Sequence, residues 1–375
     1  MNDRMALGLL AEVMGWTSDA DAVPAHEYAW LRLMSSVKYD GYADFRAGVR
    51  FLESLAIWLK QFDAADRPAA YEVVKHRLVY ISLSEMLRLI ENFVPEVVTP
   101  ILRQVVATEL GCKPYEVWST PRGAESFNKH LRQTLFVGLS DGSRIDVLRR
   151  ANSGRLSPEQ IVPMLNIDVG KWRDLKKKLA REYEGATFER VFLIDDFTAS
   201  GTTFIREVEG EWKGKLNTFN EMVLAAQHEL GDDFPIPKDY HLHIHHYVSS
   251  DQARLALEDR VKDAKQRWAQ AWFGEVDITE GLRLPPDVKL SAPRDAAMLD
   301  LGGRYYDHAL YERIKQHCDE NGQSDMKLGY ANCALPIVLD HNTPNNSIPL
   351  LWAETPGAKG AHPMRPLFHR RDRHG

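Results

Sequence analysis

One stretch of thirteen residues constrains the fold more than any other part of the chain. Residues 191–203 read VFLIDDFTASGTT. The apolar run 191–194 predicts a buried strand, because it is short and is bounded by turn-forming residues. Two adjacent aspartates follow this run, and a loop of small and hydroxyl-bearing residues comes next. Such an order is typical of a connection from a strand to a helix in an α/β protein.

The chemistry of this loop suits a phosphate group. Its residues are Ala199, Ser200, Gly201, Thr202 and Thr203. Gly and Ser let backbone N–H groups approach an anion, and the threonines add hydroxyl donors. Asp195 and Asp196 would repel a phosphate, so we expect them to bind sugar hydroxyls or a hydrated divalent cation beside it. The stretch therefore predicts a site for a phosphorylated sugar, although Asp and Ser can also simply cap the next helix.

The same stretch resembles the 5-phosphoribosyl-diphosphate (PRPP) binding motif of type I phosphoribosyltransferases. That motif is an apolar strand, two acidic residues and a loop of the form Thr-Thr/Ser-Gly-x-Thr. The matching residues are Asp195, Asp196, Ser200, Gly201 and Thr203. The resemblance implies that the loop holds the 5-phosphate, and that the acidic pair is catalytic, contacts the ribose hydroxyls and holds Mg²⁺ directly or indirectly. The chain departs from the motif at Phe197, Thr198 and Ala199.

A second polar loop follows the strand-like residues 135–139. Its residues are Ser140, Asp141, Gly142, Ser143 and Arg144. The resemblance implies that a loop at this place contacts the diphosphate of PRPP, and an arginine offers two parallel donors for such a group. The alternative is an ordinary Asp-Gly turn with arginines that face solvent.

A third polar loop, 341–346, follows the strand-like residues 335–339. We expect its Asn342 either to recognise a base or ribose or to hydrogen-bond its own turn. Ligands of parallel sheets bind beyond the carboxyl ends of the strands. We therefore expect the loops 140–144, 195–203 and 341–346 to share one site.

The fold class follows from the order of these patterns. Residues up to about 130 are predicted to be helical: apolar residues recur at spacings of three and four over 42–59, and a second helix is predicted over 71–93. From about 134 onward strands alternate with helices, which predicts a largely parallel sheet. The prediction is an α/β protein with a helical N-terminal domain (1–130), a type I phosphoribosyltransferase-like domain with a mostly parallel, helix-flanked sheet (131–355) and a basic tail (356–375).

Three further patterns concern a histidine-rich strand, a helix start and the basic tail. Residues 241–248 predict a strand with three histidines on one face. We assign these histidines to sheet packing or to lining of the site rather than to a metal, because they are too spread out for one tetrahedral ion and no acidic or cysteine ligand is near in sequence. Thr218 and Glu221 have the spacing of a capping box, which predicts a helix start at Thr218 after an insertion. The tail is expected to be a solvated end or, alternatively, a contact for nucleic acid.

Composition excludes some classes. A net charge of −6 argues against a protein coated with positive charge for nucleic acid. No apolar run is long enough to span a bilayer, so no membrane partner is expected. Three widely spaced cysteines and the lack of a secretion signal predict a cytoplasmic protein.

A longer resemblance covers most of the chain. Its segments, in order, are LSDGSRID (139–146), IDDFTASGTTF (194–204), WKGKL (212–216) and GYANCALPIVLDHNTPNNSIPLLW (329–352). The chain resembles phosphoribosyltransferase-like effectors encoded in bacterial conflict systems, including those beside retron reverse transcriptases. This implies an anti-phage effector that binds PRPP or a nucleotide with Mg²⁺ and acts at ribose C1. The implied partners are a reverse transcriptase with its RNA/DNA product or another defence protein. Hydrolysis at the same site and a non-catalytic sensor or interaction module stay open as alternatives.

Overall fold

The computed structural model describes residues 3–16, 23–46, 50–164, 167–319, 322–357 and 360–370. In these residues the helices are α1 Asp3–Met14, α2 Val23–Val37, α3 Phe51–Lys60, α4 Arg67–His76, α5 Leu83–Asn92, α6 Thr99–Leu110, α7 Pro121–Arg132, α8 Ile145–Ala151, α9 Val169–Glu182, α10 Lys215–Leu230, α11 Asp251–Arg267, α12 Ala296–Arg304, α13 Ala309–Arg313 and α14 Lys315–Asp319. The strands are β1 Val79–Ile81, β2 Thr134–Gly138, β3 Ile161–Val162, β4 Arg190–Thr198, β5 Arg206–Val208, β6 Glu211–Lys213, β7 Tyr240–Ser250, β8 Phe273–Leu284 and β9 Ile337–Leu339. Among the helices described, none has the length and apolarity needed to cross a bilayer.

The chain forms two compact units. The first combines Met1–Met86 with Pro286–Gly375, and the second is Leu87–Pro285. One boundary falls inside α5, and the other lies just after β8. These boundaries differ from those expected at 130 and 355, since the C-terminal third of the predicted α/β domain joins the N-terminal helices.

The second unit contains the parallel sheet that the sequence predicts. Its strand order is β3-β2-β4-β7-β8, and every neighbouring pair is parallel. The strands β2 and β4 are apolar and almost wholly buried, as central strands of a parallel sheet must be. Helices α9, α10 and α11 pack their apolar residues into one core with the sheet. This is the expected α/β architecture of helices that flank a parallel sheet.

Two strands of this sheet, β3 and β8, were not predicted. The strand β8 pairs with β7 almost from end to end. Its sequence, FGEVDITEGLRL, places charged residues between apolar ones because it lies at the edge of the sheet. Helix α11 ends at Arg267, and the residues after it form this additional strand.

In the first unit, the predicted helix 71–93 is wrong. Helix α4 ends at His76, the short strand β1 follows, and α5 begins at Leu83. The reason is a tertiary partner, because β1 pairs in parallel with β9. The periodic residues 42–59 are likewise split between a 3-10 helix, Ala43–Arg46, and α3. Val49 lies outside the described residues.

The strand β9 belongs to this two-stranded sheet and not to the five-stranded one. The loop 341–346 therefore follows a strand of a different sheet from the other two polar loops, and the expectation that the three loops share one site stays a prediction. Asn342 lies in a tight turn, where its N–H and the N–H of Leu339 each donate to the carbonyl of the other residue over 3.1 Å. A role for Asn342 at the ligand site stays a prediction.

The described part of the tail is not a solvated end. Leu367 and Phe368 are fully buried, and both amides donate to the carbonyl of Leu351, over 3.0 and 2.9 Å. The ring of Phe368 stacks on that of Phe51 with 5.7 Å between centroids. Two apolar side chains within the basic sequence therefore anchor it in the core of the first unit. Lys359, Arg371 and Arg373 lie outside the described residues.

Candidate functional site

Both aspartates of the motif lie inside β4 rather than after it. The strand continues to Thr198, and Asp195 pairs with His246 of β7. The predicted strand end after residue 194 is wrong, because β4 continues for four more residues and three of them pair with β7. Side chains alternate along a strand, so the two carboxylates point to opposite faces of the sheet. Asp195 is 5% exposed, whereas Asp196 is partly exposed, so the two acids differ in their access to a ligand.

The carboxylate of Asp195 is bound on both oxygens. The hydroxyl of Ser140 donates to Oδ1 over 2.5 Å, and the ammonium of Lys215 pairs with Oδ2. Burial raises the pKa of Asp195 and the charge of Asp196 adds to this rise, while Lys215 and Ser140 oppose it. Through these two contacts, Asp195 connects β4 with the first polar loop, at Ser140, and with the start of α10, at Lys215.

The first polar loop also touches the second aspartate. A Cβ atom on Gly142 would lie 2.3 Å from Oδ2 of Asp196 and 2.6 Å from its Cγ, so the loop backbone packs directly against the carboxylate. Ser143 closes the turn by donating from its hydroxyl to the carbonyl of Ser140 over 2.6 Å. Asp141 forms the start of this turn, and Arg144 leaves it in a left-handed conformation with φ 45°. The structure therefore brings 140–144 and the acid pair together.

The loop after β4 presents donors for an anion. Gly201 has φ 69°, and its carbonyl accepts from the N–H groups of Phe204 and Ile205 over 3.2 Å each. Ser200 Oγ and Thr202 Oγ1 lie 2.8 Å apart, and Thr203 is exposed. No acceptor in the described part of the chain faces the N–H groups of Gly201 and Thr203. These amides and hydroxyls suit a phosphate.

Helix α11 holds this loop in place. Arg260 donates to the carbonyl of Ser200 over 3.0 Å. Ser250 donates from its hydroxyl to the carbonyl of Ala199 over 2.6 Å and accepts from the N–H of Ala253, which caps the helix. The loop carbonyls are thus bonded to protein, which leaves amides and hydroxyls for a ligand.

The expected insertion after the loop is a β-hairpin. Strands β5 and β6 pair antiparallel, with Arg206 opposite Lys213, and Gly210 has φ 83° in the turn. The predicted helix start at Thr218 is wrong: α10 begins at Lys215, directly after Gly214. A Cβ on Gly214 would lie 2.6 Å from the carbonyl oxygen of Phe204, so only glycine lets the chain return this close to the loop.

Sequence reasoning missed two residues at the site. Lys215 reaches Asp195 only because α10 starts three residues earlier than predicted. For His246 the sequence predicts nothing more specific than sheet packing or lining of the site, and the structure buries it opposite Asp195, in contact with Phe204 at 5.8 Å between ring centroids. Burial lowers the pKa of His246 to about 3, with a further decrease from Lys215. The segment WKGKL was the only local signal for Lys215.

A parallel sheet with an acid pair and a hydroxyl-rich loop at its carboxyl edge defines a phosphoribosyltransferase-like α/β protein. The model of the PRTase-CE family matches residues 55–370, which is most of the chain. No curated protein and no solved structure matches the chain. The chain belongs to the PRTase-CE family. A phosphoribosyltransferase-type function follows in general terms.

Proposed function

We propose that the site binds PRPP, or a nucleotide with the same ribose 5-phosphate, together with Mg²⁺, and acts at ribose C1. The contact between Gly142 and Asp196 carries this proposal. This contact joins the loop assigned to the diphosphate with one acid of the pair that is assigned to the ribose and Mg²⁺. The strand that carries this acid leads directly into the loop assigned to the 5-phosphate. These three elements recognise the three parts of one ligand.

The 5-phosphate fits the loop 199–203. The donors available there are the N–H groups of Gly201 and Thr203, the hydroxyl of Thr203 and one hydroxyl of the Ser200–Thr202 pair, since the other hydroxyl of that pair donates within it. The bonds from α11 hold this loop before any ligand arrives. Binding energy from the phosphate then positions C1, which lies several bonds away, for reaction.

The two aspartates are assigned to Mg²⁺ and to the ribose. Asp196 is partly exposed and its carboxylate lies against the first loop, so its oxygens fit a hard cation such as Mg²⁺. Asp195 already has Ser140 and Lys215 on its two oxygens, and it fits a ribose hydroxyl or an indirect contact better than direct coordination. When bound, Mg²⁺ would supply positive charge to the diphosphate.

The chemical step follows from these charges. Residues 140–144, with Arg144, stabilise negative charge on the departing diphosphate. The carboxylates of Asp195 and Asp196 stabilise positive charge that develops on the ribose ring. The acceptor that attacks ribose C1 is a base or water. His246 is the histidine beside the acid pair, but it is buried and neutral, so we do not assign it as the general base.

Calorimetric titration of PRPP with Mg²⁺ tests the proposal. Wild type is expected to bind one equivalent, and Asp196→Asn is expected to weaken binding at least about 10-fold, as loss of a cation partner does. The matched control is Asp146→Asn, because Asp146 is an exposed acid in α8 that pairs with Arg150. Absence of binding by folded wild type, or equal affinity of all three proteins, contradicts the proposal.

Turnover separates the remaining alternatives. Release of diphosphate only with an added base indicates a transferase, release without any acceptor indicates a hydrolase, and binding without release indicates a sensor.

The role in anti-phage defence is supported by the resemblance to effectors of bacterial conflict systems. In a plaque assay, we expect bacteria that carry the complete defence system with Asp196→Asn to lose their protection against phage. Protection equal to that of the wild-type system would contradict the role in defence.

A further inference from the structure

We propose that His241, His243 and Asp277 form a site for a divalent transition-metal ion such as Zn²⁺, separate from the ribose-phosphate site. The two histidines lie near the amino end of β7, and Asp277 lies on the neighbouring strand β8. His243 is three residues before His246 along β7, which is about 10 Å at the rise of a strand. The proposed ion is thus distinct from the Mg²⁺ assigned to the acid pair.

The strand geometry brings the three side chains together. His241 and His243 are two residues apart and share a face of the sheet. The register pairs His243 with Asp277, so the carboxylate lies on that same face. The sequence did not predict β8, and the acidic ligand that appeared to be lacking comes from it.

The spacing of the donor atoms fits one ion. Nε2 of His241 lies 2.9 Å from Oδ2 of Asp277, and Nδ1 of His243 lies 3.5 Å from the same oxygen. All three donor atoms lie within 4.8 Å of one another. Tetrahedral Zn²⁺ with bonds near 2.0–2.1 Å places its ligands about 3.3 Å apart. Two of the three spacings therefore bracket the value that an ion requires.

The environment of His243 supplies an independent reason. Its side chain is fully buried, and neither ring nitrogen has a hydrogen-bond partner among the described residues. Buried polar groups almost always have a partner, so an exception needs an explanation such as a bound ion. The ring of Phe192 stacks on His243 at 4.3 Å between centroids, which fixes its plane. A metal ion between Nδ1 and the carboxylate of Asp277 would give Nδ1 a direct bond in place of the absent hydrogen bond.

Binding requires a turn of one ring. His241 stacks on His243 with an interplanar angle of 13°, and two parallel rings cannot both hold an ion in their planes. The side chain of His241 is 25% exposed, so this ring can rotate while His243 stays fixed. Glu275 lies beside the other ring nitrogen of His241, with Oε2 4.0 Å from Nδ1, so water fills the fourth position. The charge of Arg190 acts on His243 and opposes the ion, while the two carboxylates favour it.

Titration of metal-free full-length protein with Co²⁺, followed by displacement with Zn²⁺, tests the site. Wild type is expected to bind one equivalent and to show the visible absorption of four-coordinate Co²⁺. His241→Ala and Asp277→Asn are expected to weaken binding at least about 10-fold. Both residues are partly or largely exposed, so these variants keep the fold, which circular dichroism checks.

Two controls make the result specific. His76→Ala removes another histidine that pairs with an acid, Glu72 at 3.2 Å, and is expected to bind Co²⁺ like wild type. Asp196→Asn is expected to bind Co²⁺ like wild type as well. The test of the metal site is therefore independent of the test of PRPP binding. No stoichiometric binding by wild type, or unchanged binding by both His241→Ala and Asp277→Asn, overturns the inference.

Discussion

Replacement of Gly142 by alanine tests the contact on which the proposed function depends. The new Cβ would lie 2.3 Å from Oδ2 of Asp196, whereas ordinary contact begins at 3.4 Å, so the carboxylate must move by about 1.1 Å (3.4 − 2.3). A change in a group that supports a metal site typically costs about 10- to 100-fold in metal affinity. Because Asp196 is proposed to hold Mg²⁺, we expect the affinity for PRPP with Mg²⁺ to fall about 10- to 100-fold.

The fold of this variant is expected to survive. Gly142 has no positive φ, so its backbone accepts alanine, and the displaced carboxylate is partly exposed and can rotate. Calorimetry gives the affinity, and thermal unfolding checks that the melting temperature stays within a few degrees of wild type. Gly303→Ala is the matched control, because its Cβ would meet nothing within 4 Å. Wild-type affinity in Gly142→Ala would refute the assignment of Asp196 to the ligand.

Three further predictions concern stability. Burial lowers the pKa values of His243 and His246 to about 3, so below pH 6.5 only the unfolded chain gains these protons, and the free energy of unfolding falls as the pH falls. Each ring should lower the free energy of unfolding by about 2 kcal/mol between pH 7 and pH 5. In urea unfolding of metal-free protein, His243→Phe should remove the contribution of one ring to this decrease. Lys215→Met should cost about 3 kcal/mol in denaturant unfolding, because it leaves Asp195 buried without a cation, and adding Asp195→Asn should restore most of this loss; no recovery in the double variant would argue against the ion pair. Phe368→Ala should cost about 3–5 kcal/mol in the same assay, whereas a value near zero would contradict the anchored tail.

The sequence predicts the central part of the fold well, because the relevant signals are local. The strands β2, β4 and β7 are short runs of apolar or alternating residues, and the polar loops after β2 and β4 are visible in the printed sequence. The parallel arrangement follows from the alternation of strands with helices. These are properties that a few neighbouring residues determine.

The missed features depend on partners far away in sequence. Aspartate is a poor strand former, and Asp195 lies in β4 only because β7 pairs with it. The edge strand β8 carries many charged residues, so its pattern does not resemble that of a buried strand. Strand β1 depends on β9, more than 250 residues away, and no local pattern reveals such a pairing.

The candidate site shows the same division. The acid pair and the loop 199–203 could be predicted from thirteen consecutive residues, and the contact of Gly142 with Asp196 follows from the neighbouring positions of β2 and β4. Lys215 could not be placed, because the close return of the chain at Gly214 starts α10 earlier than the capping pattern suggests. Asn342 lies in the other unit, and its role stays a prediction.

The central claim is that the loop after β4 holds the 5-phosphate of a ribose ligand. A crystal structure of the full chain with ribose 5-phosphate and Mg²⁺ tests this most directly. We expect the phosphate to accept hydrogen bonds from the N–H groups of Gly201 and Thr203, with the ribose hydroxyls beside Asp195 and Asp196. A phosphate bound elsewhere, or no bound ligand at saturating concentration, would contradict the claim.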